Sequence, residues 1–156
     1  MRQLCAAFVL CLCVVFAGCA SGDPRETNFA YVNENIELLE AFPWWELDKF
    51  GRWSREYQSF VKQHLGKDTI VEYVDVYDGG VVQFSTGGSG LSVGSVYFGF
   101  YYCESDRPFA FEFGGFSVLE EIEPGVFYWE DVERRTRNIR TEKIRDNWYY
   151  YLQEWR

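Results

Sequence analysis

Histidine occurs once in the 156 residues, at His64, and beyond the first nineteen residues cysteine also occurs once, at Cys103. A lone imidazole and a lone thiol exclude the common zinc sets, since no spacing of His, Cys, Asp and Glu here fits a metal site. A solitary Cys103 cannot form an intramolecular disulfide once the leader is gone. A thiol dyad of His64 with Cys103 is a poor reading, because Glu104 and Asp106 are the wrong neighbours for a thiolate. His64 falls at the end of an amphipathic segment, where an imidazolium suits the helix dipole, so a helix-end role is preferred to a general base. No serine stands in a nucleophile elbow, and Thr86-Gly87-Gly88-Ser89-Gly90 lacks the Lys-Ser/Thr pair of a phosphate loop. The glycine stretch reads as a hairpin connection. No catalytic residue, metal ligand or cofactor site is therefore expected. Positive charge is also in deficit: 15 Lys and Arg against 24 Asp and Glu give a formal net charge of −9. That balance disfavours nucleic acid as a partner.

A long apolar run is missing too. The uncharged stretch from Leu4 to Phe16 is shorter than the ~20 residues that a spanning helix needs. Preceded by Arg2 and followed by Ala17-Gly18, it has the anatomy of a secretory signal. The segment Phe16-Ala17-Gly18-Cys19 resembles the lipobox of bacterial lipoproteins, with Phe16 where that family carries an aliphatic residue. The resemblance implies cleavage before Cys19, acylation of its thiol, and a cell-envelope location. Ala20 and Ser21 after the cysteine, in place of Asp, imply the outer membrane on its periplasmic side. Gly18-x-Ala20 also fits ordinary cleavage after Ala20, and either route exports the chain. Several acyl tails, each held by ~0.8 kcal/mol per methylene, would anchor the protein permanently.

The chain then divides into a signal peptide (1–18), a lipidated cysteine and tether (19–28) and a single domain (29–156). Asn28 is the expected cap of a helix running from Tyr31 to Phe42, with Val32, Ile36 and Leu39 on one side, Glu34, Glu37 and Glu40 on the other, and Pro43 as its stop. Trp45 to Leu65 reads as a second amphipathic helix ending at Gly66. After Lys67 the period drops to two. Ile70–Tyr77, Val81–Ser85 and Leu91–Cys103 are expected strands, the last with Gly94 and Gly99 as bulges. Phe109–Phe113, Phe116–Ile122 and Val126–Asp131 continue the pattern, separated by Asp78-Gly79-Gly80, by Glu104–Pro108 and by Pro124-Gly125. Trp148–Trp155 suits either a strand or a short helix. The fold class is α+β: two N-terminal amphipathic helices packed on an antiparallel β-meander sheet.

Charge and aromatic residues mark the candidate surfaces. Asp23 to Asp48 holds seven acidic residues with Arg25 as the one basic residue before Lys49. Glu34, Glu37 and Glu40 accordingly form an acidic face suited to a basic protein partner. Residues 119–133 carry six acids, and 134–145 carry six bases, including Arg134, Arg135 and Arg137. The plain expectation is pairing between these blocks across neighbouring strands, and the alternative is an anionic partner for the basic run. Trp44-Trp45 and Trp148-Tyr149-Tyr150-Tyr151 are too dense to be all core if strand alternation turns some rings outward, which nominates Trp148, Tyr150 and neighbouring rings for sugar stacking or an interface. The leading functional expectation is a non-catalytic, lipid-anchored protein-binding module such as an immunity or inhibitor protein, and the alternative is a glycan or cell-wall binding lipoprotein.

Overall fold

The computed structural model describes residues 22–51, 54–90, 93–111, 116–117, 119–131 and 136–156. Cys19, Arg134 and Arg135 lie outside the described residues. The architecture is α+β, with helical segments laid on an antiparallel sheet.

The first helix begins earlier than its apolar spacing suggests. Helix α1 spans Pro24–Glu34, started by the Asp23 side chain, which accepts from the Arg25 N–H at 2.9 Å, and by Pro24 in the first turn. Five residues assigned to a flexible tether are thus helical. A proline with φ already set and an aspartate cap make a start signal independent of hydrophobicity. Asn28 is not the cap. It is buried within the helix, where its Nδ2 donates to the Pro24 carbonyl and its Oδ1 accepts from Thr86 Oγ1. The helix bends at Asn35, whose side chain and backbone N–H both donate to the Tyr31 carbonyl, and resumes as α2, Ile36–Glu40.

The expected second helix is two elements. Trp44–Lys49 is a 3₁₀ helix, and α3 spans Arg55–Leu65 with Ser54 accepting from the Tyr57 N–H at 3.0 Å. Tyr57, Phe60, Val61 and Leu65 form the buried stripe of α3, and Gly66 leaves it at φ 90°.

Among the described residues nine strands follow: β1 (Tyr73–Tyr77), β2 (Val81–Ser89), β3 (Val96–Cys103), β4 (Ala110–Phe111), β5 (Phe116–Ser117), β6 (Glu120–Glu123), β7 (Val126–Glu130), β8 (Arg137–Arg145) and β9 (Trp148–Trp155). Seven form one sheet in the order β1-β2-β3-β9-β8-β7-β6, while β4 and β5 pair separately. The sheet is therefore not a simple meander. The last strand inserts between β3 and β8, joining one run of hairpins to another, and the C-terminal segment is a strand rather than a helix.

The glycine stretch expected as a loop lies largely within β2. Gly87 and Gly88 pair with Phe98 and Tyr97, and a Cβ on either would meet those rings at 2.8 and 2.7 Å. The irregularity is between Ser85 and Gly87, and Gly99 stays in register. Gly94 sits in the turn before β3 with φ 85°.

Both faces of the sheet are covered at its centre. On one side, Val74, Val82, Phe84, Phe100 and Trp148 pack against Val32, Leu39, Phe42, Leu47, Tyr57, Phe60, Val61 and Leu65 of the helical layer. On the other, Val81, Tyr101, Cys103, Tyr149 and Tyr151 pack with Phe109 and Phe111 beside the β4–β5 pair. Ala110, Leu119 and Ile139 extend this second core toward Phe127 and Trp129. Two covered faces explain why Trp148 through Tyr151 are all buried. Alternation sends successive rings to opposite faces, and each face here is a core.

The outer edge of β1 is capped at Val74 by one side chain. The Tyr57 hydroxyl accepts from the Val74 N–H at 2.6 Å and donates to the Val74 carbonyl at 2.5 Å. At the opposite edge, β6 presents exposed Glu120, Glu121 and Glu123. Capped or charged edges discourage pairing with another chain.

Candidate functional site

Where the helical layer meets the turns at one end of the sheet, the described residues enclose a cavity of about 310 Å³. Leu39 and Glu40 come from the end of α2, Trp44 from the 3₁₀ helix, and Gly80 from the β1–β2 turn. Val82 and Phe84 of β2 join Tyr102 of β3 and Trp148 of β9 as apolar lining. Glu104, Asp146 and Asn147 come from the turns after β3 and after β8. The aromatic lining is held by ring contacts: Tyr102 and Phe84 lie 5.4 and 5.8 Å from Trp148 between centroids. Val82, Phe84 and Trp148 are core residues, whereas Glu40, Glu104 and Asp146 are exposed. The site thus has a rigid aromatic interior and an acidic mouth.

Local chain geometry brings these carboxylates to one place. Asn147, at φ 65°, donates from Nδ2 to the Cys103 and Glu104 carbonyls at 2.9 and 3.1 Å, and its own carbonyl accepts from the Cys103 N–H at 2.8 Å. These bonds fasten the end of β3 to the β8–β9 turn. Gly80 accepts at its carbonyl from the Glu104 N–H at 3.1 Å, and a Cβ on Gly80 would lie 2.5 Å from Glu104 Oε2. Glycine at this positive-φ position therefore both makes the turn and leaves space for the glutamate.

The electrostatics are negative. The Tyr102 phenol is raised above its ordinary value, first by burial and then by the charges of Glu104 and Glu40. Lys143 Nζ approaches Asp146 at 3.6 Å but sits closer, at 2.7 Å, to Asp106. Among the described residues neither Glu40 nor Glu104 is in an ion pair.

The other candidates are dispersed. Glu34 is exposed at the end of α1, and Glu37 and Glu40 are exposed on α2, beyond the bend at Asn35. Arg137 lies over the Trp155 ring at 4.7 Å and near that of Trp129 at 5.9 Å, so its guanidinium faces indoles. Trp148 and Tyr150 are 2% and 4% exposed, which corrects the expectation of outward rings. Trp148 keeps a place in the cavity wall. Tyr150 packs on Phe29, and its hydroxyl is pushed up to about 12 by burial, with Asp23 and Glu142 adding to the shift.

Where β7 and β8 pair, Glu130 stands opposite Asn138 and not opposite a base. Strand β7 lies between β6 and β8, so the glutamates of β6 face Val126, Phe127 and Tyr128 instead. The bases find other partners: Lys143 meets Asp106, and Arg140 meets Glu142 at 3.1 Å. Glu130 pairs with Arg156. Glu142 is itself buried, and it also accepts from Arg25 at 2.5 Å, which docks the start of α1 on the sheet.

His64 and Cys103 lie on opposite sides of the sheet. The His64 ring packs on Phe60 and Phe42, with Nδ1 2.9 Å from the Phe60 carbonyl, and Cys103 belongs to the other core beside Ser105. Among the described residues no group of three or more His, Cys, Asp or Glu is placed to hold a metal ion. In the same residues no helix is long and apolar enough to cross a membrane.

Trp44 was legible from the sequence as half of the dense pair Trp44-Trp45, whereas Gly80, Tyr102, Glu104, Asp146 and Asn147 were not singled out. Their nearest signals are the polar turns, which reveal turns but not that the turns converge. Compared with known proteins, the chain matches no family model, and no curated protein or solved structure aligns with it significantly.

Proposed function

We propose that this chain is a non-catalytic protein-binding module of the cell envelope, held to a bilayer through Cys19, that engages a basic protein in the manner of an immunity or inhibitor protein. The observation that carries the reading is the set of exposed carboxylates on α1–α2, Glu34, Glu37 and Glu40, the last of which lines an aromatic cavity together with Glu104 and Asp146. Trp45, 60% exposed and packed edge-on against Trp44, sits beside that mouth. A negative field speeds encounter with a basic partner, and an exposed tryptophan beside a concave site suits a hot spot. Glycan binding through Trp148 and Tyr150 gains no support from the fold, because buried rings offer no flat face for a sugar.

The test uses the full-length protein in its own membranes. Crosslinking is expected to capture a specific basic protein, which then binds directly when purified. The triple charge reversal Glu34→Lys, Glu37→Lys and Glu40→Lys abolishes that binding. Unchanged capture by the reversed variant sinks the acidic-ridge reading. Separately, Cys19→Ser is expected to lose labelling by a palmitate analogue and to leave the membrane fraction. A serine variant that stays labelled and membrane-bound refutes the anchor.

A further inference from the structure

We propose that the cavity between α2 and the turn end of the sheet receives one arginine side chain from the partner protein. The inference rests on the protein-binding reading above and deepens it.

Three features of the cavity converge on that occupant. At about 310 Å³ it stands at the small end of the ~300–1,000 Å³ typical of binding pockets, a scale suited to one side chain and not to a polymer. Its lining offers two part-exposed aromatic side chains, Trp44 and Tyr102, backed by the buried Phe84 and Trp148, at a site with three carboxylates, Glu40, Glu104 and Asp146. Aromatic faces attract cations through the ring quadrupole, and a guanidinium both stacks on such faces and bonds carboxylates through its planar fork. A guanidinium also gives up its hydration more easily than an ammonium, which suits entry into an apolar interior.

The receptor is built before the ligand arrives. Phe84 and Trp148 are locked in the core, the Asn147 bonds join the two acidic turns, and Gly80 holds open the space that Glu104 occupies. Preorganisation lowers the ordering cost of binding. The carboxylates remain exposed, so their charges keep their water until the arginine reaches them.

The experiment titrates ¹⁵N-labelled protein with the peptide acetyl-Gly-Arg-Gly-amide and with otherwise identical peptides carrying lysine or citrulline. Citrulline has nearly the shape of arginine without its charge. The arginine peptide is expected to shift the amides of Glu104 and Asn147 and the indole of Trp148 in a saturable manner. Binding weakens about tenfold in Glu40→Gln/Glu104→Gln and in raised salt. The lysine peptide binds more weakly, and citrulline does not shift these resonances. Equal binding of citrulline or lysine, shifts confined to other surfaces, or an unaffected double variant overturns the inference. If the peptides fail while the Glu34, Glu37 and Glu40 reversal still abolishes partner capture, the arginine site falls and the acidic ridge stands. Failure of both removes both.

Discussion

A single hydroxyl group caps the outer edge of β1 at Val74. Tyr57 is 3% exposed, and its oxygen satisfies both backbone groups of Val74. Tyr57→Phe keeps the ring in the core but removes both partners at once. A buried polar group without a partner costs about 1–3 kcal/mol, so the variant is expected to lose stability within or somewhat above that range in urea denaturation. It should also aggregate sooner, because an uncapped edge is a template for strand addition. A loss below about 0.5 kcal/mol would show that water replaces the hydroxyl and that the edge is not sealed by Tyr57. Nothing in the spacing of α3 foretells this role. Tyr57 reads from sequence as one more ring on an apolar stripe, and its hydroxyl acquires meaning only when β1 lies beneath it.

Elements were more legible than their ends. The apolar stripe of α3 and the alternation of β1–β3 announce helix and strand because burial on one face imposes a period. The cap of α1 lies five residues before the expected Asn28 because Asp23-Pro24, whose signal does not depend on hydrophobicity, is the stronger start. Helix α1 is held at its first turn by Arg25 on the buried Glu142, which also accepts from Arg140. Arg25→Met is therefore expected to raise amide hydrogen exchange across residues 25–30 while the central strands β3, β8 and β9 stay protected. Uniform protection in the variant would show that packing of Val32 and Phe29 suffices without the ion pair. Strand β9 gave no sequence indication of its place, because an aromatic strand at the C-terminus pairs wherever two free edges meet. Both β3 and β8 offered one.

At the scale of the whole molecule, the far face of the sheet is a second core rich in phenols. Tyr101, Tyr149 and Tyr151 are all raised above the ordinary tyrosine value, burial being the largest cause for each. Asp106 also accepts from the Tyr149 hydroxyl and favours its neutral form, while Lys143 holds the Asp106 carboxyl itself below its usual value. A phenol whose native value is raised keeps its proton while the unfolded chain, with values near ~10, releases its own. The stabilisation is thus complete below pH ~10 and is lost as pH climbs toward the native values. Alkaline titration followed by tyrosinate absorbance and circular dichroism should show these phenols ionising together with loss of the sheet. Smooth ionisation of all eleven tyrosines with the sheet intact would contradict the second core.

Periodicity, caps and turn residues, all local properties, were enough to establish an α+β chain with helices first and an antiparallel sheet after, because each reports the burial of a neighbouring stretch. The same locality made the acidic run from Asp23 visible, since exposed charge needs no partner to be noticed. Tertiary structure alone decided that the central strands are covered on both faces, that Trp148 and Tyr150 turn inward, and that β7 stands between the glutamates of β6 and the basic strand β8. It alone also assembled Glu40, Glu104 and Asp146 around one cavity. Those outcomes depend on which distant strands become neighbours, and strand pairing is a contest among edges that no short window of sequence contains.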